Sequence, residues 1–221
     1  MRRAGPAALL LWLAAGPALA HEPAALPPLG FEPPAPGTYT LYRILTAPDG
    51  EVLDLDGRVH RLARFTRGRI TLLGLIYTTC VDPDGCPLTL PVFDAVRRAA
   101  AQAPRLREHV RLVTLSFDPE RDTPAAMRGY AGARAGGAAG GVPWHFLTTR
   151  SPRALAPVLD GFGQDVRTTI VRDGGGARRE ISHVLKAFLI DPAGIVREIY
   201  SSSFLHPRTV LNDMETLRRE R

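Results

Sequence analysis

Residues 69–77 (RITLLGLIY) form an unbroken apolar run that leads directly into Thr78-Thr79-Cys80. Five residues later the chain reads Cys86-Pro87 and enters a helical pattern over residues 88–103. An apolar run without polar alternation is a strand buried on both faces, as parallel sheets require. Proline suits the first helical turn, where its missing N–H costs nothing. Val92, Phe93 and Val96 then fall on one face of the helix. A buried strand, a cysteine loop and an amphipathic helix together begin a β–α crossover, with both cysteines at the C-terminal end of a core strand.

The alternation continues downstream. A second buried strand spans residues 109–117, and a helix follows over 124–135 with Thr123 as its N-cap. A glycine-alanine loop occupies 136–141, and a short strand 144–147. Ser151 caps a helix to about residue 160. Asp173-Gly174-Gly175-Gly176 marks the tip of a protruding hairpin or loop. Residues 183–190 read as a strand that turns at Asp191-Pro192-Ala193-Gly194 and pairs back over 195–200. A helix over 207–221 closes the chain. Upstream, residues 39–45 and about 52–55 are strand candidates, with turn signals at Pro48-Asp49-Gly50 and Asp56-Gly57. Strands joined by helices pair in parallel, and the last two form an antiparallel hairpin. The expected class is α/β with a thioredoxin-like arrangement: a central mixed sheet flanked by helices, an N-terminal β-hairpin and a C-terminal helix.

The N-terminus reads as a secretory signal over residues 1–20: Arg2-Arg3, an apolar stretch from Ala7 to Ala15, and Ala18-Leu19-Ala20 as the cleavage site. The stretch is well short of the roughly 20 residues of a membrane span. The expected location is periplasmic, with an uncleaved anchor in the inner membrane facing the periplasm as the alternative. Residues 21–37 hold six prolines and read as an extended tether, leaving residues 38–221 as one domain. The formal charge of +6 becomes +4 once Arg2 and Arg3 leave. The arginines are scattered rather than striped, which argues against a nucleic-acid partner and allows at most peripheral membrane association.

Two cysteines in an exported chain ordinarily form one structural disulfide. A bridge that closes so short a loop removes little chain entropy, which makes it a poor staple. Close spacing suits redox exchange or metal binding instead. Cys86 stands just before a helix, whose N-terminus favours a thiolate, so its thiol is expected to ionise easily. Asp82 and Asp84 oppose this but serve as turn formers in Asp-Pro-Asp-Gly. Thiolates select soft metals such as Cu(I), and a neutral imidazole is the natural third ligand. Among the histidines, His21 at a mature N-terminus could chelate Cu(II) through its amine and imidazole, though such termini are usually inert. His60, His109 and His145 lie at strand edges, and His206 starts the last helix. His183 follows the Gly174–Gly176 loop, where a mobile ligand would swing to the cysteines.

These residues add up to a resemblance. Tyr77-Thr78-Thr79-Cys80 … Cys86-Pro87-Leu88-Thr89-Leu90 resembles the copper motif of the Sco/SenC family. Residues 116–124 (SFDPERDTP) resemble that family's SxDPxRDTP signature. Ser182-His183, followed by Phe188-Leu189-Ile190-Asp191-Pro192-Ala193-Gly194, resembles its histidine and following hairpin. The resemblance covers about residues 40–220. It implies a thioredoxin-like protein with copper, as Cu(I) and also Cu(II), on Cys80, Cys86 and His183, and a redox-active Cys80–Cys86 disulfide. The implied role is metallochaperone in assembling a copper centre, that of cytochrome c oxidase, with an oxidase subunit as recipient and other copper chaperones or thiol reductants as partners. A thiol-disulfide oxidoreductase is the alternative. A peroxidase is disfavoured, because P-x-x-x-T-x-x-C is absent before Cys80. The chain departs from the family in having five residues between the cysteines rather than three, and Ser182 where an acidic residue often precedes the histidine. Asp118 and Asp122 are expected as turn and cap residues, with positioning of the cysteine loop as the sharper reading.

Overall fold

Strand β4, Ile70–Ile76, is buried along its whole length and paired on both sides. The computed structural model of the chain describes residues 26, 28–82, 85–135, 141–173 and 176–220. The expected leader, His21, most of the 136–141 loop and Gly174-Gly175 lie outside the described residues. On one side β4 runs parallel to β5, Val110–Ser116, in the register Ile70↔Val110 to Ile76↔Ser116. On the other it is antiparallel to β9, Ala187–Ile190. Strands β1 (Leu45–Thr46), β10 (Ile195–Tyr200) and β6 (Trp144–Leu147) complete a six-stranded mixed sheet in the order β1-β10-β9-β4-β5-β6. The parallel half and the closing antiparallel hairpin match the sequence expectation.

Helices cover both faces. On one lies α2, Cys86–Gln102, with Phe93 against Trp144 at 5.8 Å between ring centroids. Beside it lies α4, Pro124–Ala131, with Tyr130 edge-on to Phe146, and a short 3-10 turn, Gly132–Arg134, follows. Thr123 caps α4 as expected, its hydroxyl accepting from the Ala126 N–H. The C-terminal helix α6, Pro207–Arg219, packs on α2 and β4. The opposite face carries α1, Ala63–Thr66, whose Phe65 meets His145, and α5, Pro152–Phe162, whose Phe162 ring lies 4.6 Å from that of Phe188. A one-turn helix α3, Pro104–Arg107, follows α2. Gly74 makes the close approach of α2 possible: a Cβ there would stand 2.9 Å from Thr89 Cγ2 and 3.0 Å from Phe93 Cζ. No helix among the described residues is long and apolar enough to cross a membrane.

Three expectations are corrected. The expected N-terminal hairpin is present as β2, Glu51–Leu53, and β3, Val59–Arg61, whereas of the strand candidate 39–45 only its last residue, in β1, is strand. Residues 39–44 are held mainly by side chains: Tyr39 bonds Asp213, and the Arg197 guanidinium takes the Leu41 and Tyr42 carbonyls that a neighbouring strand would otherwise use. The described part of the proline-rich lead is no free tether. It lies on α6, with Asn212 bonding the Pro34 carbonyl, Arg219 the Pro36 carbonyl, and Thr216 accepting from the Gly37 N–H. Finally, residues 183–190 are not one strand. β7, Val166–Asp173, and β8, Gly176–His183, form a separate two-stranded ribbon, so His183 ends a strand instead of starting one. The chain breaks there because Gln164 Nε2 takes the Val184 carbonyl at 3.1 Å, before the backbone joins the central sheet at Ala187.

Of the other described histidines, His60 and His145 pack at strand edges and His109 faces solvent. His60 Nε2 lies 2.7 Å from Asp54, and His206 caps α6. Burial, aided by the charges of Arg111 and Arg64, lowers the His145 pKa to about 4. Because that is below the unfolded value, the unfolded chain takes up the proton first. Stability is therefore lost as pH falls from about 6.5 towards 4. Allowing for its partial exposure, the effect is on the order of 1–2 kcal/mol. We expect His145→Gln to flatten the pH dependence of urea unfolding between pH 7 and 4.5 by that amount, and an unchanged slope would exclude His145 as the titrating group.

Candidate metal centre

The apolar run of β4 ends at the surface of the sheet, and the next residues build the site. Tyr77 and Thr78 continue from the strand. The Thr78 N–H donates to Asp122 at 3.0 Å and the Thr78 hydroxyl to the same carboxylate at 2.5 Å. The Ser116 hydroxyl also donates to Asp122. Asp122, only 1% exposed, thus fixes Thr78, two residues before Cys80, from the loop that follows the neighbouring strand. The cap role expected for it belongs to Thr123, and the positioning role is the one the structure displays.

From Cys80 the chain turns back. The Gly85 N–H donates to the Asp82 carbonyl at 3.0 Å. Pro83 and Asp84 between them lie outside the described residues. Gly85 is packed against Asp82, whose Cβ would lie 3.2 Å from any added Cβ. The five-residue spacing therefore still returns the second cysteine to the first. Cys86 is the first residue of α2, with Pro87 behind it.

His183 arrives from β8. Its Nε2 lies 3.2 Å from Cys86 Sγ. Its ring packs 4.9 Å from that of Phe117 and edge-on to Tyr77 at 5.5 Å. The expected mobile ligand is therefore a clamped one, because two aromatic rings leave the imidazole little room to turn. Ser182 supplies no acidic side chain to orient the ring, so its placement rests on these ring contacts and on Cys86.

Cys80, Cys86 and His183 offer three ligand atoms within 4.8 Å of one another, the one such group of His, Cys, Asp or Glu among the described residues. Both cysteines are free thiols, Cys80 half-buried and Cys86 buried. Burial pushes the Cys86 thiol up, with the Cys80 sulfur adding to the effect; N–H groups of Tyr77 and Cys86 pull the other way and lose. The expectation of an easily ionised Cys86 is corrected, since at 1% exposure desolvation outweighs the helix terminus. Such a thiol keeps its proton until an electrophile or metal displaces it. His183 is shifted down by burial, against the charge of Asp82, and so stays neutral. Tyr77, unassigned by the sequence reading, stands beside the centre with its ring against His183, and burial, with the nearby Cys80 sulfur, raises its hydroxyl pKa so that it keeps its proton. Only its place three residues before Cys80 hinted at this.

A cleft of about 510 Å³ opens beside the centre, lined by Tyr77, Cys80, Asp82, Arg121, Arg179 and His183. Two soft sulfurs and one neutral nitrogen, with open space on one side, form a donor set suited to Cu(I).

A family model described as SCO1/SenC matches residues 47–219. No curated protein matches the chain. Among solved structures, copper-bound ScoI of Bradyrhizobium japonicum is 23% identical, with a TM-score of 0.59 over 77% of this chain and 98% of that one. Apo Sco1 of Thermus thermophilus is 25% identical, with a TM-score of 0.60 over 82% and 95%. BsSco, described as having a disulfide switch and as a member of a family of cytochrome c oxidase assembly proteins, is 21% identical, with a TM-score of 0.58 over 80% and 95%.

Proposed function

The chain belongs to the SCO1/SenC family, and from that premise we propose that it is an exported metallochaperone that carries copper to the assembly of a copper centre, that of cytochrome c oxidase. The observation that carries the reading is the convergence of Cys80, Cys86 and His183 within 4.8 Å. Copper is the cargo. Two thiolates hold Cu(I) and the neutral imidazole completes a three-ligand set. The cleft leaves one side open for a ligand of the recipient. The fold likeness to a copper-bound ScoI supports the choice of metal, and the description of BsSco supports the choice of recipient. The leader over residues 1–20 supports a periplasmic location.

A second reading rests on the same pair of sulfurs, since Cys80 is half-exposed and Cys86 lies behind it. A Cys80 thiolate would attack a partner disulfide and release one partner thiolate. Cys86 would then attack the Cys80 sulfur, releasing the second. The partner gains two electrons and the chain ends as a Cys80–Cys86 disulfide, which a thiol reductant restores.

Titrating the reduced mature protein with Cu(I) against a chromophoric chelator tests the first reading. We expect one copper per chain, and X-ray absorption showing two sulfurs and one nitrogen. Binding that survives Cys86→Ser undiminished would sink it.

A further inference from the structure

The ribbon that delivers His183 has no hydrogen-bonded place in the central sheet; β7 and β8 pair only with each other. An isolated two-stranded ribbon is marginal in water. Contacts outside the pairing therefore hold His183 against the sulfurs: Val166 and Ile181 on the core, Tyr77 and Phe117 on the ring, and a charged contact at Arg179, earlier in the strand. Residues i, i+2 and i+4 of a strand share a face, so Arg179, Ile181 and His183 point the same way. Arg179 Nη1 donates to Asp118 Oδ1 at 2.6 Å, and Nη2 lies 3.4 Å from the exposed Glu120. Asp118 is 0% exposed, and its Oδ2 has no hydrogen-bond partner. Arg179 itself is 17% exposed at its side chain and lines the cleft shared with Cys80 and His183. Asp118 stands four residues before Asp122, which holds Thr78. One loop thus grips the cysteine arm with one carboxylate and reaches the histidine arm with another.

We propose that Arg179 is a positioning residue that latches the β7–β8 ribbon through Asp118, so that the latch decides whether His183 reaches the metal. Closed, the latch gives a two-sulfur, one-nitrogen site. Open, it leaves copper on the two sulfurs alone, the weaker hold from which a recipient takes it. This inference rests on the copper-carrying reading above.

The test compares the reduced full mature protein with its Arg179→Ala, His183→Ala and double variants, by Cu(I) competition titration and by X-ray absorption. Loss of outer-sphere support typically weakens a metal site by about 10–100-fold, and we expect that loss from Arg179→Ala, together with loss of the nitrogen neighbour. In the double variant we expect no further loss beyond His183→Ala, because both changes remove the same ligand. Arg179→Ala that binds copper as tightly as wild type with the nitrogen retained, or losses that multiply in the double variant, would overturn the latch while leaving the copper site standing. His183→Ala that binds as tightly as wild type would overturn both. Arg179→Ala leaves a buried charge unpaired. Should it fail to fold, Asp118→Asn with Arg179→Gln, which replaces the ion pair by a neutral hydrogen bond, is read beside Arg179→Lys. We expect the neutral pair to bind copper within a few-fold of wild type and the lysine variant to lose nitrogen occupancy. The reverse order overturns the proposal.

Discussion

His183→Ala is expected to weaken Cu(I) binding by on the order of 100-fold or more, about 3 kcal/mol, while copper remains on Cys80 and Cys86. The size follows from what the imidazole already has before metal arrives. Its ring is fixed between Tyr77 and Phe117, and its Nε2 stands 3.2 Å from a ligand sulfur. A ligand so placed loses little freedom on coordination. Outer partners of metal ligands alone account for about 10–100-fold, so a ligand itself should account for at least as much. Binding does not vanish, because two thiolates remain a strong soft pair for Cu(I). Competition titration reads the loss, and the nitrogen neighbour should disappear from the X-ray absorption spectrum. The reductase reading expects something different: disulfide exchange by Cys80 and Cys86 should proceed in this variant at nearly the wild-type rate. Equal copper affinity with and without His183 would remove the three-ligand site from consideration.

Asp122→Ala should lower folding stability by about 4 kcal/mol and loosen the metal site at the same time. The carboxylate accepts from the Thr78 N–H, the Thr78 hydroxyl and the Ser116 hydroxyl, almost entirely out of water. Each hydrogen bond to a charged group contributes about 1.5–3 kcal/mol, and a buried donor left unpaired costs about 1–3 kcal/mol. These terms overlap, so their simple sum overstates the loss. Thr78 is two residues from Cys80, so freeing it lets the first sulfur drift from the second. Urea unfolding of the metal-free protein reads the stability, and the same competition titration reads the site. Asn at position 122 keeps the shape but only one acceptor oxygen, and should recover about half of the loss. An alanine variant of wild-type stability would mean that Asp122 does not hold the cysteine arm.

The order in which the site was readable follows the range of the forces involved. Residues 69–103 announced a strand, a loop and a helix through local patterns: an unbroken apolar run, a proline at a helix start, and an apolar face at helical spacing. Those patterns require no partner to be recognised. The turn between the cysteines was equally local, since Asp82-Pro83-Asp84-Gly85 carries its own dihedral preferences. The ribbon that carries His183 was less legible. Residues 166–173 pair with 176–183 rather than with the central sheet, and among the described residues of the ribbon only Val166 and Ile181 pack on the core, so little core-facing periodicity marks them.

Sequence by itself determined that the two cysteines end a core strand, that a helix begins at the second, and that a histidine from a downstream segment joins them by family resemblance. Tertiary structure alone decided their chemistry. Cys86 begins a helix, which favours a thiolate, yet burial holds its proton on, because desolvation depends on everything packed around the sulfur. His183 looked free to swing, yet two rings from elsewhere in the chain clamp it. Asp118 and Asp122 looked like loop punctuation, yet they grip residues 61 and 44 positions away in the chain. Local spacing sets dihedral preferences and periodicity, whereas burial and long-range contact exist only once the chain has closed on itself.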